Sequence, residues 1–563
     1  MSKNFSLSRH LAQALLLVAG AAACQAHAAK ALPAAASATA AQPKLVVVLV
    51  VDGLPQEQVT RYRDQFGQGG FRRLLEQGAW FSDAHQAHGI TVTAIGHSAV
   101  LSGAYPYQHG VIGNNWIDPV TKKSVYCTED GNFHYIGEET KPDDGTSPVK
   151  LRVSTLGDEL RYATGDKAKV VTVSGKDRGA ILLAGKTGTA YMYMEKTGNF
   201  ASSTYYMQQH PQWVQRYQAS KPQDRYYGKS WTPLLADSAY ANDAREDIVP
   251  AKPGTRNTFP FAYYSDSGKL DGEYYSRLKS GPFLDELTLE FARAAVDGEN
   301  LGRNPAGVPD ILGVSLSAHD YVNHAYGPES RMSHDHLQRL DRMLAGFFAD
   351  LDKKVGMDNV LVVLTADHGF ANVPEFTEAR GGFSAKRIDG DKMVASLNQH
   401  LATTLGIDKL VTASSLPNIY LDYALAEKSG VHRAALEDAA ARFLLQQDGL
   451  AQVYTRTQME TGAVATRMDT LMRRAWNRQL SGDLMVVTKP AWYFGKGSGG
   501  TSHGTPYTYD TNVPLMVFGP RWIKPGAYGQ YAEVVDIAPT LAHLLRIRQP
   551  SASEGRVLTE AVR

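Results

Sequence analysis

The sequence predicts an α/β fold: a mostly parallel central sheet with helices on both faces and inserted cap regions. Three observations carry this. Short apolar, β-branched runs recur at residues 45–51, 169–174, 309–316, 359–365 and 514–519, and continuous rather than alternating hydrophobicity marks strands buried on both faces. Helical patterns follow them, near 55–66, 94–101, 283–296, 330–351 and 534–545. Several of the runs then stop abruptly at polar residues, Asp52 after the first, His319-Asp320 beyond the third and Asp367-His368 after the fourth. In open α/β sheets ligands bind beyond the carboxyl ends of the strands, where these groups would lie.

The chain has 563 residues, with 58 Lys+Arg against 57 Asp+Glu. That balance gives no electrostatic sign of nucleic-acid binding, so partners must be argued from sites. Residues 1–28 read as a cleavable export signal, with Lys3 and Arg9 ahead of the apolar run Leu11–Ala23 and Ala26-His27-Ala28 before the cut. An Ala-rich spacer follows at 29–43. No later segment is long and apolar enough to span a bilayer. A periplasmic or secreted location is expected. Loss of the signal removes Cys24 and leaves Cys127, so no intrachain disulfide can form. Residues 44–563 are expected to form one catalytic domain, with insertions at about 186–282, rich in Tyr and Trp, and about 375–500.

Along the chain, the first strand, LVVVLVV, ends at Asp52-Gly53, where a lone Asp is often only a helix cap. Thr93 stands just before a helical run. As a cap it is unremarked; as a reactive group it lies in the positive field of a helix start, beside N–H groups that can hold a phosphate oxygen. Thr91 competes for that role. Asn114 lies in a Gly/Asn turn that turn chemistry alone would explain, yet it also offers an amide donor. Lys176 and Arg178 are two cations one residue apart at a strand end, and side chains at that spacing point the same way on a strand. Arg has the fork and Lys the point charge that phosphate takes, although a solvated turn is the commoner explanation. Asp320 and His324 are one helical turn apart and can face one ion or pair with each other. His503 sits in the Gly/Ser loop 495–504.

Together, Asp52, Asp320, His324, Asp367, His368 and His503 make three carboxylates and three imidazoles with no thiolate. Such a set suits zinc before manganese or iron. Six ligands are too many for one catalytic ion and right for two, which can stabilise both the attacking and leaving oxygens of an in-line phosphoryl displacement. Thr93 is then the candidate nucleophile, with Asn114, Lys176 and Arg178 holding the non-bridging oxygens.

The motifs VVDGL (50–54), TVTAIGHS (91–98), HGVIGNNW (109–116), GKDRGAIL (175–182), HDYVNHAYGP (319–328), TADHG (365–369) and SHGTPY (502–507) resemble, in order, those of the alkaline phosphatase superfamily. Within it they are most similar to the bacterial PafA-like alkaline phosphatases with a threonine nucleophile. The resemblance implies an alkaline phosphatase-like fold and two Zn2+. One ion would be held by Asp320, His324 and His503, the other by Asp52, Asp367, His368 and the Thr93 oxygen. It further implies a phospho-threonine intermediate, phosphate contacts from Asn114, Lys176 and Arg178, and small-molecule phosphate monoesters as substrates. Nucleotide pyrophosphatases and phosphodiesterases of the same superfamily share the ligands and the Thr. The Lys176/Arg178 pair favours monoesters, whose dianion leaves more charge on the non-bridging oxygens. A non-catalytic metal- or phosphate-binding protein is the remaining alternative, and a hydroxyl beside the ligands speaks against it.

Overall fold

The computed structural model describes residues 41–245, 250 and 256–563. The export signal, and the spacer up to residue 40, lie outside them. The strand predicted at 45–51 is β1 (Leu45–Val51), and every residue in it is fully buried. Each such side chain contributes roughly 1.5–3 kcal/mol by leaving water, so β1 is the natural centre of the sheet. It pairs in parallel with two strands at once, Val48 lying opposite both Gly313 and Val363.

Around it a nine-stranded sheet assembles. Its members in chain order are β1, β2 (Ala79–Phe81), β3 (Val170–Ser174), β4 (Thr189–Tyr193), β5 (Phe200–Ala201), β6 (Asp310–Leu316), β7 (Val360–Thr365), β8 (Leu515–Phe518) and β9 (Gly526–Tyr528). Their spatial order is β9-β2-β8-β7-β1-β6-β3-β4-β5. The central five, β7-β1-β6-β3-β4, are mutually parallel, so their carboxyl ends share one edge. β8 runs antiparallel to both β7 and β2, and β5 antiparallel to β4. The sheet is the mixed, mostly parallel α/β sheet that the apolar runs predict.

Five helices matter for the site: α1 (Thr93–Ser102), α2 (Asp177–Ala184), α3 (Phe283–Gly298), α4 (Ala318–Tyr326) and α5 (Arg331–Lys354). Each of α1, α2 and α4 begins near the carboxyl edge of the sheet, and α3 and α5 pack as long amphipathic supports. Among the described residues no helix is long and apolar enough to cross a membrane.

The insertion expected at about 186–282 needs correction at its start. Residues 189–193 and 200–201 are β4 and β5 of the central sheet. The sequence TAYMY alternates aromatic with small or sulfur side chains instead of running as Val and Leu, yet four of its five residues are buried. Its aromatic neighbours pack as core: Phe291 of α3 gathers Tyr191, Phe200, Trp213 and Tyr217 at ring separations of 4.8–5.2 Å. Within 375–500, the strands 411–415, 418–421, 450–455 and 484–488 form a second, antiparallel sheet. The helices 390–405 and 433–445 share an apolar core with it that includes Leu397, Leu401, Leu436 and Leu444.

Candidate active site

Three central strands deliver the carboxylates. Asp52 follows β1 directly, Asp367 lies two residues past β7, and Asp320 lies in the first turn of α4 just beyond β6; all three are buried. Two groups of potential ligand atoms result, each lying within 4.8 Å of one another: Asp52, Asp367 and His368, and Asp320, His368 and His503. His368 belongs to both. His324 stands at the edge of the second group, with Nε2 at 3.4 Å from Asp320 Oδ1.

The imidazoles share one arrangement. Nδ1–H donates to a backbone carbonyl in each: Gly369 at 2.9 Å for His368, Thr91 at 2.7 Å for His503 and Thr501 at 2.9 Å for His324. Carbonyls only accept, so the proton is on Nδ1 and every Nε2 lone pair faces the carboxylates. Burial holds His368 below the ordinary imidazole range, and burial together with the His368 and His324 rings holds His503 well below it. Neutral, oriented imidazoles are what a metal requires.

Charge points the same way. Against burial, Asp320 and Asp52 hold the Lys176 ammonium above its usual range; its Nζ lies 2.5 Å from Asp320 Oδ2 and 2.7 Å from Asp52 Oδ2. One lysine cannot satisfy three buried carboxylates. Burial and the neighbouring Asp367 push Asp52 well above the ordinary carboxylate range, while Lys176, against burial, holds Asp320 well below it. Oδ1 of Asp52, Oδ1 of Asp320 and Nε2 of His368 are buried without a hydrogen-bond partner, while Asp52 Oδ2 has the Lys176 ammonium and Asp367 Oδ2 the His97 ring beside it. Such orphaned atoms cost on the order of 1–3 kcal/mol each, and divalent cations relieve that cost. The residues therefore fit metal binding through oxygen and nitrogen ligands. Chelation is expected to lower the melting temperature by several degrees and readdition of zinc to restore it, since ligand binding at high saturation contributes about 3–4 kcal/mol; differential scanning fluorimetry checks this.

Thr93 opens α1, but not as its cap. Val92, in extended backbone, occupies that position, and Thr93 is the first helical residue, almost fully buried. The competing Thr91 is committed elsewhere, its hydroxyl donating to the Thr505 carbonyl at 2.8 Å. Asn114 Oδ1 accepts from the Ala94 N–H at 2.9 Å, which turns the amide NH2 away from the helix and leaves it free to donate.

Lys176 and Arg178 do not occupy a strand. Lys176 caps α2 and Arg178 is its second residue, so helix-start geometry rather than strand alternation brings both to one cavity of about 610 Å³, beside Tyr126 and Tyr321. Lys176 Nζ lies 4.9 Å from the Tyr321 ring centroid. Arg178 Nη1 donates to the Tyr126 hydroxyl at 3.2 Å, and its buried Nε has no partner.

Sequence reasoning missed three positioning residues. His97 is four residues after Thr93, so on the same helix face. Its Nδ1 donates to the Thr93 carbonyl at 2.9 Å and lies 3.2 Å from Asp367 Oδ2, while Nε2 accepts from Ser315 at 2.8 Å. Gly96 lets α1 lie directly on the Asp367 backbone: a Cβ there would stand 2.1 Å from the Asp367 carbonyl oxygen. Asp510 Oδ2 accepts from the Gly504 and Thr505 amides at 3.0 and 2.8 Å, fixing the His503 loop, and the Asp510 carbonyl takes the Gly369 N–H at 2.7 Å. The i,i+4 spacing in TVTAIGHS was a usable signal for His97. No local pattern marks Asp510.

Comparison with known proteins agrees with this geometry. The family model for type I phosphodiesterase / nucleotide pyrophosphatase matches residues 46–511. Alkaline phosphatase PhoV of Synechococcus elongatus is 35% identical over 95% of this chain and 96% of its own. Alkaline phosphatase PafA of Elizabethkingia meningoseptica is 34% identical over 92% of this chain and 95% of its own. The crystal structure of wild-type PafA superposes with a TM-score of 0.85 at 33% identity, covering 93% of this chain and 99% of that one. A PafA variant substituted at a threonine, an asparagine, a lysine and an arginine gives a TM-score of 0.85 at 32% identity, with 93% and 99% covered. The chain belongs to the type I phosphodiesterase / nucleotide pyrophosphatase family and, within it, to the PafA-like alkaline phosphatases, hydrolases of phosphate esters.

Proposed function

We propose that this protein is an exported di-zinc alkaline phosphatase that hydrolyses small-molecule phosphate monoesters through a phospho-threonine at Thr93. The observation that carries the reading is the convergence of two sets of orphaned carboxylate and imidazole atoms on a helix start bearing an uncommitted hydroxyl. The spacings support it too. The threonine and asparagine altered in the PafA variant are as far apart as Thr93 and Asn114, and its lysine and arginine as far apart as Lys176 and Arg178. Export rests on residues 1–28 and fails if the full-length protein stays in the cytoplasm.

Asp52, Asp367, His368 and Thr93 would hold one zinc, and Asp320, His324 and His503 the other. Bound zinc supplies Lewis acidity that offsets negative charge on the attacking and leaving oxygens. The chain's own residues do the rest. Thr93 Oγ1 bonds to phosphorus as the ester P–O bond breaks, its proton passing to solvent and the alcohol departing protonated from solvent. Water then cleaves the phospho-threonine, releasing phosphate and restoring the hydroxyl. Asn114 donates its free amide to a non-bridging oxygen, while Lys176 and Arg178 front the cavity with two positive charges that reward a dianion over a diester monoanion.

That charge argument yields the test. For wild type, kcat/KM for an aryl phosphate should far exceed that for the matching diester. Lys176→Ala should cut the monoester value by on the order of 10²-fold and the diester value much less. Zinc content measured in the same samples separates phosphate binding from ligand disruption. Wild-type preference for the diester would place the protein among the phosphodiesterases and leave Lys176 and Arg178 without this role.

A further inference from the structure

We propose that the cleft beside His503 and Asn114 is a leaving-group subsite for phosphate monoesters of aromatic or branched apolar alcohols. The proposal rests on the reading of Thr93 as the attacking group. In-line displacement sends the leaving oxygen away from the nucleophile. Thr93 opens the helix that rests on Asp367, so the leaving side is that of Asp320, His324 and His503.

A cleft of about 300 Å³ opens there. His503 and Asn114 are among its lining residues, which makes it continuous with the candidate site. Its walls also include Val92, Leu416, Pro417 and Phe494, uncharged and only half-buried. These come from three separate parts of the chain: the cap of α1, the tight connection between strands 411–415 and 418–421, and the short strand 493–494. The Ser415 hydroxyl donates to the Asn115 carbonyl at 3.1 Å and holds that connection against the loop of Asn114. Half-exposed apolar side chains from three elements, lining one opening together with uncharged polar groups and His503, form the usual lining of a small-molecule site.

The other cavity at the site is more highly charged. Beside its tyrosines and Met194, its walls carry Lys176, Arg178, Glu138, Glu139, Asp143 and Asp144, so an apolar ring laid there would desolvate charged groups, which the first cleft lacks among its side chains other than His503. An apolar leaving group therefore favours the first cleft, and its volume accommodates a substituted ring.

The test compares kcat/KM for phenyl phosphate, 4-isopropylphenyl phosphate and glycerol phosphate on the zinc-loaded wild-type protein. The two aryl esters have closely similar leaving-group acidity, so their ratio reports contact rather than reactivity. The isopropylphenyl ester should be favoured about tenfold over phenyl, the order expected for a few buried methyl groups. Leu416→Ser and Phe494→Ala should each reduce that preference, leaving glycerol phosphate within about twofold of wild type. Hydrolysis of all three esters without an aryl-size preference would overturn the subsite alone, and needs no variant to be seen. A preference that survives both substitutions would also overturn it. No hydrolysis of any ester would overturn the proposed function and the subsite with it.

Discussion

The Thr93→Ala protein is expected to lose phosphomonoester hydrolysis by on the order of 10⁴-fold or more, the scale seen when a covalent nucleophile is removed, while keeping its fold. The structure separates these two effects. An N-cap threonine contributes about 1 kcal/mol to its helix, so a capping role would show as lost stability. Here Val92 is the cap and Thr93 the first helical residue, and alanine is a good residue inside a helix. Near-native melting with abolished turnover is therefore the expected pair of results. The alternative nucleophile, Thr91, already spends its hydroxyl on the Thr505 carbonyl; Thr91→Ala should weaken the support of the His503 loop rather than remove the chemistry. A Thr93→Ala protein with undiminished kcat/KM would return the chain to a binding role or to another nucleophile.

The second large effect is expected at a residue that touches no substrate. Gly96→Ala adds one carbon on the face of α1 that lies on Asp367. That carbon would stand 2.1 Å from the Asp367 carbonyl oxygen and 2.7 Å from its Cα. These are backbone atoms, so no rotamer change relieves the clash, and α1 must lift. Lifting moves Thr93, at the start of the helix, relative to Asp367 and breaks the approach of His97 to the Asp367 carboxylate, 3.2 Å in this structure. A displacement near 1 Å at a reacting group costs on the order of 10²-fold in rate, and overpacking costs about 1–3 kcal/mol of stability. The expected result is a loss of kcat/KM of that size, with weaker zinc retention under dialysis. Gly131→Ala is the control, because nothing lies within 4 Å of a Cβ there. Equal behaviour of the two variants would contradict the close-approach argument.

The central strands and supporting helices are legible because their signals are local. LVVVLVV has the β-branched run and length of a strand buried on both faces, and the apolar periodicity of 330–351 matches α5 closely. β4 was hidden because TAYMY lacks the Val/Leu run, and its burial comes from Phe291 nearly a hundred residues later. At the site, the carboxylates could be picked out because parallel strands bring their ends together, so a carboxylate at each end is a carboxylate at one edge. The cations were singled out for a reason the structure replaces: a helix start, not strand alternation, brings Lys176 and Arg178 to one cavity. The supports were not legible, since Asp510 acts on the His503 loop through backbone amides, and Gly96 matters only for what packs against it.

The most direct single measurement is an acid quench of zinc-loaded wild-type protein turning over an aryl phosphate monoester, followed by peptide mass spectrometry. The account predicts one phosphorylated peptide, spanning residues 91–98, with the phosphoryl group on Thr93 and absent from Thr93→Ala. Phosphate on any other residue, or steady turnover with Thr93 unmodified at every quench time and pH, would contradict it.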